Sequence, residues 1–367
     1  MLAIIRADSS HQIGTGHVIR CLTLSLALNQ QGFEVLFICR EHPGNLIPYI
    51  EQQGIAVGVL PHRINTLIDK RLRHSDWLGS SIRNDAIESK NIISEWVKQQ
   101  GYEIADLLVV DHYALDAEWE TTLRTLCRKI LVIDDLADRK HDCDWLLDQS
   151  FNRDANDYNK KVPIEATLLI GPKYCLLRPE FSEFRQASLK RREENEINNI
   201  LISMGGVDKD NLTGSIIDQL MYVEGNEAFN ITAILGSSSL WVKEVKKQAA
   251  CSTLNICVKQ NISNMAEVLS QSDLVLGAAG TSTWERCALG VPSVVFVLAS
   301  NQTFNVNQLS KKQIVFPANN EGKNFNLSKI FSALTKEKLK QLSKNSSMIV
   351  DGFGVQRVLE NLNKILI

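Results

Sequence analysis

The 367-residue chain is too long for one ordinary hydrophobic core, so we expect two domains. Its 40 basic and 42 acidic residues give a net charge of −2, which argues against nucleic acid or an anionic membrane surface as a partner. The eight cysteines form no CxxC pair and no apolar run approaches the roughly 20 residues of a membrane-spanning helix, so we expect a cytoplasmic protein with reduced thiols.

Apolar runs typical of buried parallel strands alternate with helical patterns along the whole chain. They lie at residues 2–5, 34–39, 107–110, 130–133 and 145–147, and again at 200–203, 231–235, 274–276 and 293–298. The alternation predicts doubly wound α/β architecture in both halves. The polar segment 61–100 is interpreted as an insertion over the first domain. The charged segment 188–199 predicts a linker between domains of residues 1–187 and 188–367, with a last helix that could cross back.

The loop after the first predicted strand contains Gly14, Gly16 and His17 and leads into a predicted helix. Backbone N–H groups at such a helix start can bind an anion, and the positive helix end disfavours an imidazolium. We therefore predict that His17 is a neutral base that takes a proton from water, next to a phosphate-linked carbon. Arg20 is expected to hold an acidic neighbour such as Asp8 or to lie near a diphosphate.

Two alternatives remain for this loop. The pattern G-x-G-x-x-G of dinucleotide-binding enzymes would also begin with Gly14 and Gly16, but Ile19 occupies the third glycine position and no clear acidic ribose-binding residue follows. His17 could also be a capping or packing histidine.

A second glycine-rich segment follows the predicted strand at 274–276. Its small residues allow a phosphate to approach, its hydroxyls add donors, and a carboxylate one helical turn later can accept from a ribose diol. We predict a nucleotide-sugar site here, formed by Ala279, Gly280, Thr281, Ser282 and Glu285. The loop containing Gly205 and Gly206 and the helix start near Ile262 are further candidates, because ligands of open α/β sheets bind at strand ends. The alternative is an ordinary βαβ unit with a capping serine or threonine.

Other acidic and histidine motifs receive weaker predictions. The D-x-D triplets at 142–144 and 208–210 could hold a metal, but we expect no metal and no cofactor. Asp134 and Asp135 end a predicted strand and are interpreted as caps. The pair Asp111 and His112 could supply an alternative base.

Several ordered motifs resemble the UDP-2,4-diacetamido-2,4,6-trideoxy-β-L-altropyranose hydrolase family of pseudaminic acid biosynthesis. They lie at residues 6–9, 14–22, 111–116, 132–139, 143–149, 171–181, 203–206, 278–287 and 301–302. The resemblance implies a GT-B-like fold, with two Rossmann-like domains facing a cleft. It also implies that the first domain acts on the sugar and the second binds UDP.

The same resemblance implies metal-independent, inverting cleavage of the sugar C1–O bond, which releases UDP. By this resemblance His17 faces the sugar. Tyr113 is expected to orient the water or His17, and Arg178 and Asn301 are expected to contact the substrate. A core tyrosine and an interdomain arginine are the alternatives for Tyr113 and Arg178. A GT-B transferase that moves a sugar from UDP to an acceptor and a non-catalytic UDP-sugar-binding protein remain alternative functions. We expect a monomer that acts on a UDP-sugar of surface-glycan synthesis, without nucleic acid or membrane insertion.

Overall fold

The computed structural model describes residues 1–63, 71–193, 196–236, 239–318 and 324–366. The chain divides into two compact units. The first contains Met1–Leu176 and Gly354–Ile367, and the second contains Leu177–Phe353.

Most strands of both units are short, largely buried and rich in aliphatic residues, as parallel strands covered on both faces require. They are β1 (Leu2–Ala7), β2 (Glu34–Arg40), β3 (Ala56–Leu60), β4 (Ala105–Asp111), β5 (Cys127–Ile133), β6 (Trp145–Asp148), β7 (Thr167–Ile170), β8 (Asn199–Ser203), β9 (Asn230–Leu235), β10 (Asn255–Gln260), β11 (Leu274–Ala278), β12 (Ser293–Phe296) and β13 (Phe316–Pro317).

The α-helices connect these strands and cover the sheets. They are α1 (Gly16–Gln30), α2 (Ile47–Gln52), α3 (Ile82–Gln99), α4 (Ala117–Leu123), α5 (Glu180–Glu183), α6 (Arg185–Arg191), α7 (Leu212–Leu220), α8 (Val242–Cys251), α9 (Met265–Gln271), α10 (Ser282–Ala288), α11 (Thr303–Lys311), α12 (Leu327–Ala333), α13 (Lys336–Ile349) and α14 (Gly354–Leu366). Within the described ranges, no helix combines the length and the apolar character that crossing a lipid bilayer would require.

The first unit contains a seven-stranded sheet in the order β3-β2-β1-β4-β5-β6-β7, and the paired strands are parallel. Val18, Leu24 and Leu28 of helix α1 pack in the core on one face of this sheet. The same core contains Val358 and Leu362 of α14. The chain thus leaves the first unit after β7 and returns to it with its last helix. Strand order reverses direction between β1 and β4, which places a topological switch point there.

The second unit contains a six-stranded parallel sheet in the order β10-β9-β8-β11-β12-β13. Its core includes Ile202 of β8, Ile216 of α7 and Leu342 of α13. Strand order reverses between β8 and β11, so this sheet has its own switch point. Both units therefore have the doubly wound α/β architecture predicted from the sequence.

Sequence patterns missed four strands and misassigned one segment. Strands β3, β7, β10 and β13 were not predicted; β13 has only two residues and β10 alternates between partly buried and exposed residues, so neither forms a buried apolar run.

The segment 61–100 is not simply an insertion, because α3 is the crossover between β3 and β4. Its residues Ile82, Ile93 and Val97 are buried in the core on the other sheet face. Residues 64–70 of that segment lie outside the described part of the chain.

The predicted linker at 188–199 also differs from the structure at its start. The contact division lies at 176/177 rather than 187/188. Helix α6 belongs to the second unit because Ser188 Oγ donates to Leu289 O at 2.7 Å and the Arg192 guanidinium donates to backbone oxygens of residues 269–272. The prediction took a charged segment to be an exposed linker. Arg192 is instead buried, and its guanidinium donates hydrogen bonds to buried carbonyl groups.

Candidate active site

His17 lies in the first turn of α1, after the loop that leaves β1. Gly14 has φ of +82°, a backbone conformation that glycine adopts without strain, and its N–H donates to Ser10 O at 2.9 Å. Ser10 Oγ accepts the N–H groups of Gln12 and Ile13, which fixes the loop further. The glycine therefore turns the chain so that Gly16 opens the helix and His17 follows it.

The imidazole of His17 contacts the carboxylate at the end of the neighbouring strand. Ala7 of β1 pairs with Asp111 of β4, which brings the two strand ends together at the switch point. His17 Nδ1 lies 2.7 Å from Asp111 Oδ1, and both side chains are almost entirely buried. A residue 94 positions away in the chain thus becomes the direct partner of His17.

This contact determines which nitrogen of His17 can accept a proton. Burial alone would raise the pKa of Asp111, but Arg20 and His17 hold it well below its usual value. Asp111 is therefore a carboxylate that can only accept hydrogen bonds, so His17 Nδ1 carries the proton. The lone pair is then on Nε2, as in a general base oriented by a carboxylate.

Arg20 pairs with the carboxylates of Asp111 and Asp135, and not with Asp8. Its Nε and one terminal nitrogen donate to Asp111 at 2.6 and 2.7 Å, and its other terminal nitrogen lies 2.5 Å from Asp135 Oδ2. The guanidinium is buried, and each of its nitrogens has a carboxylate partner. Arg20 thus holds acidic neighbours, as the first expectation had it, but these are Asp111 and Asp135 and not Asp8. This geometry favours a positioning role over direct contact with a diphosphate.

Asp8 belongs to a separate buried charge cluster. It accepts two hydrogen bonds from Arg6 at 2.6 and 2.9 Å and one from the Arg40 N–H at 2.7 Å. His112 Nε2 lies 3.3 Å from Asp8, and burial lowers the pKa of His112. His112 is 3% exposed and faces Asp8, whereas its neighbour Asp111 is the partner of His17.

Three further rings surround His17. The Tyr113 ring lies edge-on to His17, with centroids 4.6 Å apart, and its hydroxyl donates to Asp135 Oδ2 at 3.0 Å. Trp77 stacks on Tyr113, and His74 lies against both rings. Burial raises the pKa of Tyr113 well above its usual value, with the Asp135 charge adding to it, so the phenol stays protonated. The Tyr113 ring thus packs against His17 while its hydroxyl is held by Asp135.

In the second unit, the predicted ligand-binding loops follow the carboxyl ends of several strands of one sheet. Gly205 and Gly206 follow β8, Ile262 follows β10, and Asn301 lies in the 3₁₀ helix after β12. Gly205 has φ of +82°, and a Cβ at Gly236 would lie only 2.2 Å from Gly206 O. The glycines therefore allow close approach of two backbone segments at this edge.

The loop between β11 and α10 contains Ala279, Gly280, Thr281 and Ser282. A Cβ at Gly280 would meet open space, so this loop presents accessible backbone. Arg286 holds the loop from behind, because it donates to Ala278 O at 2.9 Å and to the hydroxyl of Thr283 at 2.9 Å. The loop lies at the switch point beside β8, where open α/β sheets bind ligands.

Glu285 and Arg178 lie near each other in the second unit. Burial raises the pKa of the Glu285 carboxyl, although the Arg178 charge acts in the opposite direction. Arg178 forms an ion pair with Glu180 at 3.0 Å, and its Nε is buried without a partner among the described residues. The guanidinium also donates to Ser263 O at 3.4 Å.

The weaker sequence motifs have structural partners. Arg124 holds both Asp142 and Asp144, at 2.8 and 2.6 Å. Asp208 accepts the N–H groups of the first residues of α7. Asp134 accepts the N–H groups of residues 136 and 137, which closes a turn rather than capping a helix, and pairs with Arg139.

Sequence interpretation missed several residues of the His17 cluster. Asp135 was interpreted as a cap but binds Arg20 and Tyr113. Trp77 and His74 lie in the segment that was interpreted as an insertion. The signal that could have found Asp111 and Asp135 is their position directly at or after buried strands, where the carboxyl ends of parallel strands meet.

Comparisons with known proteins agree with this architecture. Residues 196–361 match the glycosyltransferase family 28 C-terminal domain. MurG from Acinetobacter baumannii has a similar structure, with a TM-score of 0.68 over 99% of both chains at 16% sequence identity. The chain therefore has a GT-B-like fold.

Two sequence relatives extend the comparison. The UDP-2,4-diacetamido-2,4,6-trideoxy-β-L-altropyranose hydrolase of Campylobacter jejuni is 27% identical over 85% of this chain and 97% of its own length. An uncharacterized protein of Methanocaldococcus jannaschii is 27% identical over 80% of this chain. The alignment spans only 55% of that second relative's length.

Proposed function

We propose that the chain hydrolyses a UDP-linked 2,4-diacetamido-2,4,6-trideoxy sugar and releases UDP and the free sugar. The observation that carries this proposal is the contact of His17 Nδ1 with the buried Asp111 carboxylate, since it leaves Nε2 as a base. The similarity to the C. jejuni hydrolase supports the choice of substrate. The similarity to glycosyltransferases supports a nucleotide-sugar donor.

In the proposed step, His17 Nε2 takes a proton from a water molecule while the water oxygen attacks C1 of the sugar. The C1–O bond breaks, its electron pair leaves with the UDP phosphate, and the anomeric centre inverts. The new imidazolium is stabilised by Asp111, because that carboxylate is ionised and hydrogen-bonded to Nδ1. UDP is a good leaving group, so a separate general acid and a metal ion are not required.

The second unit is proposed to hold UDP. Backbone N–H groups and hydroxyls of residues 279–282 would stabilise the charge that develops on the diphosphate. Glu285 would accept hydrogen bonds from the ribose diol, and the Arg178 guanidinium would add a cation. Gly205, Gly206, Ile262 and Asn301 belong to the same strand-end edge of this sheet and would complete the contacts.

A transferase is the second candidate, because the matched family model describes a glycosyltransferase domain. The same base could deprotonate an acceptor hydroxyl in place of water. The two candidates differ in one observable. A hydrolase forms UDP without an acceptor, and a transferase needs one.

The test is a reaction with the UDP-linked diacetamido-trideoxy-altrose in ¹⁸O-water, with EDTA and without an acceptor. Wild type, His17→Ala and His11→Ala are compared. His11 is a matched control, since it is an exposed histidine of the same loop. We expect label in the free sugar from wild type and His11→Ala, and a loss of at least about a hundredfold in kcat for His17→Ala.

Label in UDP would mean attack at phosphorus and would overturn the proposed step. Product formation only after an acceptor is added would favour the transferase. Tight UDP binding without turnover under either condition would indicate a non-catalytic binding protein. Loss of activity on EDTA treatment would show that a metal takes part.

A further inference from the structure

The loop before α3 brings an indole ring to the His17 cluster. Trp77 ends the 3₁₀ helix Ser75–Trp77. Its ring stacks on Tyr113, with centroids 5.7 Å apart and planes inclined by 29°, and it lies 6.2 Å from the His17 ring at 75°. The Trp77 ring therefore lies beside the proposed base and against Tyr113.

The position of this indole is fixed by its neighbours in the chain. Leu78 is fully buried, and Ser75 is buried with its hydroxyl donating to Leu72 O at 2.7 Å. Trp77 itself remains partly exposed between these anchored residues. An anchored but partly exposed indole has apolar surface to offer a ligand.

The three aromatic side chains near the base, those of Trp77, Tyr113 and His74, are uncharged. His74 lies 4.4 Å from Trp77 between ring centroids. Burial lowers the pKa of His74, and the nearby Arg73 charge lowers it further, so its imidazole is neutral near pH 7. Trp77, Tyr113 and His74 thus present aromatic surface, whereas the charged groups Asp111 and Asp135 bind the polar atoms of His17 and Tyr113.

We propose that Trp77 is a specificity-determining residue that contacts the apolar C5–C6 edge of a 6-deoxy sugar. This inference depends on the proposed hydrolysis. A pyranose whose C1 is attacked by a water on His17 Nε2 has the rest of its ring within reach of the indole, given the separation of the two protein rings. A C6 methyl group gains contact with the indole, whereas a C6 hydroxyl placed there loses hydrogen bonds to water.

The test uses a matched pair of substrates: the UDP-linked 2,4-diacetamido-2,4,6-trideoxy sugar and its analogue with a hydroxyl at C6. The measured quantity is the ratio of their kcat/KM values in wild type, Trp77→Ala, Trp77→Phe and Trp96→Ala. This ratio is independent of the fraction of folded enzyme, since both substrates are assayed with one preparation. Trp96 is the control because it is a partly buried indole of α3 in the same unit.

We expect wild type to prefer the deoxy substrate and Trp77→Ala to lower that preference at least about tenfold. Trp77→Phe should retain part of it, and Trp96→Ala should retain all of it. Equal losses on both substrates in Trp77→Ala would show that Trp77 only supports the fold, which would overturn the inference. Failure of wild type to hydrolyse either substrate would instead overturn the proposed function.

Discussion

Replacement of Asp111 by asparagine tests the proposed base most directly. The carboxylate accepts from His17 Nδ1 at 2.7 Å and from Arg20 at 2.6 and 2.7 Å. Asparagine has nearly the same shape, but its NH₂ group can donate to His17 Nδ1. The proton of the neutral imidazole would then move to Nε2, and the nitrogen that should accept a proton from water would already carry one.

The expected loss follows from these contacts. A wrong tautomer together with an unsupported imidazolium should lower kcat by about 10³–10⁴-fold, as when the carboxylate of a histidine–carboxylate pair is changed to an amide in other hydrolases. Arg20 keeps Asp135 as a partner, so the free energy of unfolding should fall by only about 1–3 kcal/mol. Folded enzyme should therefore be available for assay.

The assay is UDP release with substrate at saturation, accompanied by urea denaturation of each variant. Asp142→Asn is the matched control, because Asp142 is a partly exposed aspartate of the same unit that pairs with Arg124. A kcat of Asp111→Asn within about tenfold of wild type would refute the assignment of His17 Nε2 as a base oriented by Asp111.

Three further predictions concern stability and UDP binding. Asp85→Asn should lower the free energy of unfolding by about 3–5 kcal/mol in urea denaturation, because it leaves two buried arginines short of a carboxylate; a loss under about 1 kcal/mol would contradict this. Burial disfavours the charged form of His141, yet two buried carboxylates raise its pKa to about 9, above the unfolded value. The stabilising contribution of His141 is therefore complete below about pH 6.5 and is lost as the pH rises through 9. The difference in unfolding free energy between wild type and His141→Gln should then shrink by about 3 kcal/mol from pH 6 to pH 10. A difference that stays constant with pH would contradict this prediction. Glu285→Ala should weaken UDP binding by about 10–100-fold in calorimetry, whereas the exposed Glu244→Ala should leave it unchanged; equal affinities would remove Glu285 from the site.

The position of His17 at the start of a helix could be predicted from the sequence because its determinants are local. Gly14 and Gly16 turn the chain, and the helix that follows places the imidazole at its first turn. Local reasoning expected an acidic neighbour for Arg20 but offered Asp8 as the example, which is not its partner. Asp8 is only twelve residues away in the chain, but β1 points it toward Arg6 and Arg40, while Arg20 meets carboxylates 91 and 115 residues away.

Strand order explains why the missed residues share an edge with the predicted ones. In the first sheet, β1 and β4 are neighbours although β2 and β3 intervene in the chain, so the loop of His17 meets Asp111 and Tyr113. In the second sheet, β8 and β11 are neighbours in the same way, which brings the loop of Gly205 beside that of Gly280. Apolar runs predict that strands exist, but they contain no information about which strands pair. Once the order is known, each polar residue at a switch-point strand end becomes a candidate. The sequence signal and the topology are therefore both needed to assemble the site.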